Sequence, residues 1–238
     1  MRFYLEGEDA LGVARDAGKP WVAGVCVPRP DAGSPGSIDR AWDLVLAAAD
    51  TGRRDWKLWW WLNPAGVGKT VAQAEAATAR LSERTGGPLA GPTFVFVLEP
   101  TASGLCAASV LAHQGKEVCV GPVGSALAAL GCASLPKYLA DNRGPGRKGS
   151  FRETEGPPGS RNPWAPHYVM VPWERGDSGL VSGVSDALGA YAVRTRILVS
   201  GVPDISDLEA LVADAASMPG GCPIDVCLPP AVAGRVVE

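Results

Sequence analysis

The sequence predicts an α/β fold with a central, mostly parallel sheet that is covered by helices on both faces. Short apolar runs of strand character alternate with helical segments along the chain, and a glycine-rich loop joins one such strand to the following helix. The composition agrees with this class. Hydrophobic residues make up 46% and charged residues 20% of 238 residues, so the chain is globular and can bury a large core.

The strand segments are short, apolar and bounded by turn-forming or charged residues. They are residues 21–27, 57–62, 94–98, 117–120, 168–171 and 197–199. Helical composition is found between and after them, in residues 39–50, 71–84, 107–112, 124–140, 185–192 and 204–216. Asp39 is the expected N-cap of the first helix, and Gly86 is expected to end the second.

Two segments do not fit this alternation. Residues 1–55 are interpreted as a lead-in to a single domain that spans residues 56–238. Residues 141–166 contain glycine, proline and charged residues without an apolar period, which predicts a long mobile loop. No internal repeat is present.

Charge and cysteine usage exclude several classes of protein. A formal net charge of −3 excludes a strongly basic nucleic-acid coat, although a local basic groove remains compatible with it. No apolar stretch is long enough to span a membrane, and the N-terminus lacks the pattern of a secretory signal, so a cytoplasmic location is expected. The six cysteines form no CxxC pair, which disfavours a disulfide framework or a zinc site and favours a reducing compartment.

The sharpest local motif is a candidate phosphate loop between a strand and a helix. Its residues are Gly66, Val67, Gly68, Lys69 and Thr70. Glycines let backbone N–H groups approach a phosphate, the lysine reaches the terminal phosphates, and the threonine hydroxyl binds Mg²⁺. The match is partial, because Asn63 stands where the full pattern has glycine or alanine. The motif predicts binding of ATP or another nucleoside triphosphate with Mg²⁺.

The order of motifs resembles the first RecA-like domain of superfamily 2 RNA helicases from positive-strand RNA viruses, of the flavivirus, potyvirus and hypovirus type. After the phosphate loop come Leu98-Glu99-Pro100-Thr101, then Pro136-Lys137-Tyr138-Leu139-Ala140-Asp141, then Tyr168–Val171 leading into Glu174, and finally Ser200-Gly201-Val202-Pro203. The resemblance covers about residues 57–205. Each motif is weak alone, and their common order is moderately specific.

This resemblance implies a three-layer P-loop, RecA-like fold and an NTP-binding RNA-helicase-like function in a host cytoplasm. Pro100, Thr101, Lys137, Tyr138 and Ser200 would contact single-stranded RNA. A second RecA-like domain, or another segment of a polyprotein, would be the protein partner.

Hydrolysis is left open by the resemblance, because Pro172 and Trp173 stand where the family has its acidic pair. Phosphoryl transfer needs a metal ion and a positioned water. Glu174 and Asp177 are the nearby acids that would act with Lys69, and Asp177 would join Thr70 at the metal. Without turnover, the domain would be a nonenzymatic nucleotide-binding, RNA-binding or interaction module.

A different alternative is a chymotrypsin-like serine protease. Gly176-Asp177-Ser178-Gly179 resembles the surroundings of that nucleophile, and His113 or His167 would be the base, with Asp141 behind His113. That fold needs two β-barrels, whereas this chain alternates strands with helices. For the run Trp59–Trp61, strand alternation predicts at least one core residue, with a stacking platform as the alternative.

Overall fold

A computed structural model gives the architecture of most of the chain. It describes residues 1–7, 12, 21–31, 34, 36–87, 90–123, 166–173, 181–185, 195–217 and 223–236, and the structural statements below concern these residues. The predicted helix 124–140 lies outside them, as do the predicted helix 185–192 except for Ser185 and the predicted loop 141–166 except for Pro166.

Eight parallel strands among the described residues form a closed barrel. They are β1 (Phe3–Glu6), β2 (Val22–Cys26), β3 (Lys57–Trp61), β4 (Thr93–Leu98), β5 (Glu117–Val120), β6 (Tyr168–Pro172), β7 (Arg196–Ser200) and β8 (Ile224–Leu228). Each strand pairs with the next one in the chain, and β8 pairs with β1. This is the strand arrangement of (β/α)₈ barrels.

The α/β class and the parallel sheet are therefore confirmed, whereas the sheet is not the open, three-layer arrangement expected from the resemblance. An open sheet has two edge strands, and the closure of this one removes both. The strands that close it are β1 and β8. Neither of these two strands was predicted: β1 lies in the segment interpreted as a lead-in, whose one predicted strand is 21–27, and β8 lies after the last predicted helix.

The described helices follow the strands and lie outside the barrel. They are α1 (Ser37–Ala49), α2 (Val67–Thr85), α3 (Ala102–His113), α4 (Ile205–Ser217) and α5 (Pro230–Arg235). The N-cap of α1 is Gly36 in a left-handed conformation, so the prediction of Asp39 as N-cap was wrong, and Asp39 lies in the first turn instead. Gly86, at φ 79°, ends α2 as expected.

Alternation along the strands divides the buried side chains into two clusters. On β3, Leu58 and Trp60 face outward into the larger cluster, which packs the strands against the helices. Trp59 faces inward into a second cluster that fills the barrel. Its ring meets those of Tyr4 and Tyr168 edge to face, at centroid separations of 5.1 Å and 4.7 Å. The barrel interior is therefore a packed core.

One inward-facing pair corrects an expectation about cysteine. Cys26 on β2 and Cys227 on β8 form a disulfide, with their Cα atoms 6.8 Å apart and a sequence separation of 201. The bond links the two strands that flank β1. Cys106 and Cys119 are free thiols. Spacing in the sequence gave no signal for this pair, because only closure of the barrel brings the two cysteines together.

In the part of the chain that the structure describes, no helix has both the length and the apolar character needed to cross a membrane.

Candidate functional site

The end of the barrel where the strands terminate carries the candidate site. In parallel barrels, the loops after the strands form the active-site face. Inward-facing Tyr4, Trp59, Val97 and Leu198 belong to the packed interior. Because side chains alternate along a strand, the residue two positions after each of these also faces inward, and these four residues form the next layer, at the opening of the barrel. This layer comprises Glu6, Trp61, Glu99 and Ser200, each of them partly exposed.

Arg29, in the loop after β2, connects two residues of this layer. Its guanidinium forms an ion pair with the carboxylate of Glu99. It also lies 5.3 Å from the ring centroid of Trp61, a cation–π distance. The side chains of Arg29 and Glu99 are 47% and 27% exposed, so this contact is open to solvent on one side. We call Glu6, Arg29, Trp61 and Glu99 the barrel mouth.

These four residues come from consecutive positions around the barrel. Glu6 ends β1, Arg29 follows β2, Trp61 ends β3 and Glu99 follows β4. The pairing of β1 with β2, β2 with β3 and β3 with β4 makes them one continuous part of the rim. The arrangement therefore presents two carboxyl groups, one guanidinium and one aromatic ring to the same opening.

Glu6 differs from Glu99 in its surroundings. Burial raises the pKa of the Glu6 carboxyl above its ordinary value. No described residue forms a hydrogen bond or an ion pair with it, whereas Glu99 has the guanidinium of Arg29. Two carboxyl groups at one opening with contrasting environments are the usual basis for separate acid and base roles.

The opposite end of the barrel also contains charged residues, but there they are paired. Asp225 is fully buried and accepts two hydrogen bonds from Arg196, at 2.6 Å and 2.7 Å. Lys57 forms an ion pair with Glu117 across β4. Because each charge has a partner, this end has the character of a structural network, as expected for the N-terminal face of such a barrel.

The predicted phosphate loop lies at the same end of the barrel as the mouth, since it follows β3. Gly66 is the N-cap of α2, at φ 85° with no side-chain cap, and Lys69 in the first turn is exposed. Thr70 is buried, and its hydroxyl donates to the Asn63 carbonyl at 3.3 Å and accepts from the Ala65 amide at 3.5 Å. Its hydroxyl therefore supports the turn instead of facing solvent.

The other predicted site residues are distributed differently. Thr101 caps α3 by accepting a hydrogen bond from the Gly104 amide at 3.1 Å. Pro100 lies in the turn beside it, and Ser200 ends β7 at the mouth. Lys137, Tyr138, Glu174, Asp177 and Ser178 lie outside the described residues. The structure thus brings Ser200 and the phosphate loop to one face of the barrel.

The described residues give little support to a metal site or a protease. No group of three or more His, Cys, Asp or Glu side chains among them could hold a metal ion. Thr70, the described member of the predicted Mg²⁺ pair, uses its hydroxyl in the turn. The described strands all pair in parallel in one barrel, whereas a chymotrypsin-like protease needs two β-barrels.

All four residues of the mouth, Glu6, Arg29, Trp61 and Glu99, are absent from the predicted site residues. A short apolar run precedes Glu6, which is only a weak signal for a strand that ends in an acid. Arg29 gave no signal, whereas Trp61 belongs to the tryptophan run for which a stacking platform was the alternative, and Glu99 belongs to the helicase-like motif order. The roles of Arg29 and Trp61 depend on strand order, which brings the loop after β2 next to the end of β3.

The fold and the mouth define an eight-stranded parallel α/β barrel with a polar opening at the C-terminal ends of its strands. Comparison with known protein-family models gives no match, and comparison with curated proteins gives none either. Any argument about function therefore depends on the geometry of the site.

Proposed function

We propose that the protein is a barrel enzyme that hydrolyses glycosidic bonds at the barrel mouth. One observation carries the proposal: Glu6 and Glu99 line one opening, where Glu6 is partly buried with no cation among the described residues beside it and Glu99 is paired with Arg29. Cleavage of a glycosidic bond uses such a pair, with one carboxyl protonated and the other ionised.

The two environments assign the roles. Burial raises the pKa of Glu6, which makes it the better of the two carboxyl groups to donate a proton to the oxygen of the leaving sugar. Glu99 is the carboxylate that acts on the other side of the scissile bond. Trp61 offers a partly exposed ring beside Arg29, and flat aromatic surfaces suit the apolar faces of sugar rings.

The pH dependence of kcat/KM on soluble glycan substrates tests this assignment. Wild-type enzyme should give a bell-shaped profile. Glu6→Gln should lower kcat/KM by about a hundredfold or more and remove the alkaline limb, and Glu99→Gln should lower kcat/KM by a similar factor. A variant at either position that keeps both limbs and the wild-type rate would refute the roles.

A second candidate is the nucleotide-binding function predicted from the phosphate loop and the helicase-like motif order. It is favoured by the exposed first turn of α2, where Gly66 adopts a positive φ and Lys69 faces solvent. ATP with Mg²⁺ would bind there, and single-stranded RNA would contact the residues around Thr101 and Ser200. The hydrogen bonds of Thr70 within the turn, and the closed barrel, make this the second candidate.

Equilibrium binding of ATP with and without Mg²⁺ tests this second candidate. Lys69→Ala should abolish binding without loss of fold, and Lys116→Ala is a matched lysine control near β5. ATP affinity that is unchanged in the Lys69 variant would eliminate the phosphate-loop site. RNA-stimulated hydrolysis lost in that variant would instead support a motor domain.

A further inference from the structure

A cleft beside the barrel mouth is lined by charged residues, and their charges indicate a class of substrate. It has a volume of about 210 Å³ and lies between the loop after β2 and the first two turns of α1. Pro28, Arg29, Pro30 and Asp31 form one wall, and Arg40 and Leu44 of α1 belong to the other. Arg29 is shared between this cleft and the mouth, so the two spaces adjoin at its guanidinium.

The cleft has more positively than negatively charged side chains. Arg29 and Arg40 bring two guanidinium groups, and Asp31 brings one carboxylate. Arg29 is already paired with Glu99. No described residue forms a hydrogen bond or an ion pair with the Arg40 guanidinium, so its donors are available to a ligand. Guanidinium groups bind carboxylate, sulfate and phosphate oxygens through paired hydrogen bonds.

We propose that this cleft is an anion subsite and that the substrate is an acidic glycan. The inference rests on the proposed glycosidase function of the mouth. An acidic substituent on a sugar bound next to the cleaved bond would enter the cleft and contact Arg40 and Arg29. The same substituent would compete with Glu99 for the Arg29 guanidinium.

Arg29 can exchange Glu99 for a ligand anion because the contact between Arg29 and Glu99 is open to solvent. The Arg29–Glu99 pair is exposed on one side, and such pairs contribute little net free energy. A ligand anion held by two guanidinium groups can therefore replace Glu99 as the partner of Arg29. A neutral sugar would leave Arg29 on Glu99, so the arrangement selects acidic substrates.

Calorimetric titration with three matched oligosaccharides tests the subsite: tetragalacturonate, its full methyl ester, and a sulfated galactose tetramer. Wild-type protein should bind at least one acidic tetramer about tenfold more tightly than the ester, the effect expected of one charge-assisted pair. Comparison of the two acidic probes distinguishes a carboxylate from a sulfate. Arg40→Gln should remove most of the preference, while Arg54→Gln, an exposed arginine before β3, should retain it.

Equal affinity for acidic and esterified tetramers, or an Arg40→Gln variant that keeps the preference, would overturn the subsite. Glu6→Gln separates this result from the proposed function, because it should bind the acidic tetramer normally and fail to hydrolyse it. Hydrolysis of the acidic and esterified tetramers at equal rates would refute the anion subsite but not the proposed glycosidase function. Acid-selective binding without hydrolysis by wild-type protein would support the subsite and refute the glycosidase.

Discussion

The guanidinium of Arg29 lies 5.3 Å from the ring centroid of Trp61 while it is ion-paired with Glu99. This contact joins the loop after β2 to the ends of β3 and β4. It holds an aromatic ring and a carboxylate at one opening, with Glu6 on the neighbouring strand end. The mouth is therefore organised by a residue from a loop, while the ring and the acids are positioned by the rigid barrel.

The first prediction concerns the stability of Glu6→Gln as a function of pH. Burial raises the pKa of Glu6 in the folded state above that in the unfolded chain. Between the two values the folded state holds a proton that the unfolded state has lost, so stability falls as pH rises through this window. Glu6→Gln should therefore melt at a higher temperature than wild type at pH 7, and the difference should shrink toward pH 4.

Thermal unfolding at both pH values measures this effect, with Glu83→Gln as the control. Glu83 is an exposed acid on α2. A Glu6 variant that is less stable than wild type at pH 7 would show that the carboxyl is stabilised by its surroundings, against this account.

The second prediction compares two inward-facing positions on β3, Trp59 and Trp61. Trp59 is almost fully buried between Tyr4 and Tyr168, and Trp61 is partly exposed at the mouth. Trp59→Ala should lower the free energy of unfolding by about 3–5 kcal/mol, because it leaves a cavity in the barrel. Trp61→Ala should cost clearly less. Urea unfolding of the two variants measures the difference, and equal losses would contradict a filled barrel with an open mouth.

The third prediction concerns the paired charges at the end of the barrel opposite the mouth. Asp225 is fully buried, while the side chain of Arg196 is 21% exposed. Asp225→Asn should cost about 3 kcal/mol of stability, because it leaves a guanidinium without its anion in a low-dielectric site. The exposed pair of Arg53 and Asp55 is the control, and Asp55→Asn should cost less than about 1 kcal/mol. Similar losses of stability for Asp225→Asn and Asp55→Asn in denaturant unfolding would contradict this prediction, because they would mean that water reaches the Asp225 pair.

The fourth prediction concerns the disulfide between Cys26 and Cys227. A cross-link between residues 201 apart restricts the unfolded chain strongly, and such bonds typically contribute about 2–4 kcal/mol. Wild-type protein should lose that stability on reduction, whereas a Cys26→Ser, Cys227→Ser double variant should be insensitive to reductant. Alkylation and mass measurement without reductant should find two free thiols among the described cysteines, and four would contradict the bond.

Local features of the fold were predictable from the sequence. The strands at 22–26, 57–61 and 93–98 are short apolar runs between turn residues, and their pattern indicated them within one or two residues. The end of α2 at Gly86 followed from glycine's tolerance of a positive φ. These features depend on neighbouring residues alone.

Closure of the sheet depended on distant residues and was not predicted. β1 is four residues long, and its partner β8 lies more than 200 residues away, so neither carries a strong local signal. The phosphate-loop pattern favoured an open sheet, because the glycine-rich turn after a strand is shared by several α/β architectures. The mouth was missed for the same reason, since Glu6 and Glu99 become neighbours of one opening only in the closed barrel.

The most direct test of the account is hydrolysis of acidic and neutral oligosaccharides by wild-type, Glu6→Gln and Glu99→Gln proteins, followed by NMR of the released reducing ends. The account predicts cleavage by wild type and a loss of at least about a hundredfold in each variant, with Asp55→Asn fully active. Cleavage that persists at the wild-type rate in a Glu6→Gln, Glu99→Gln double variant would contradict the barrel mouth as the active site.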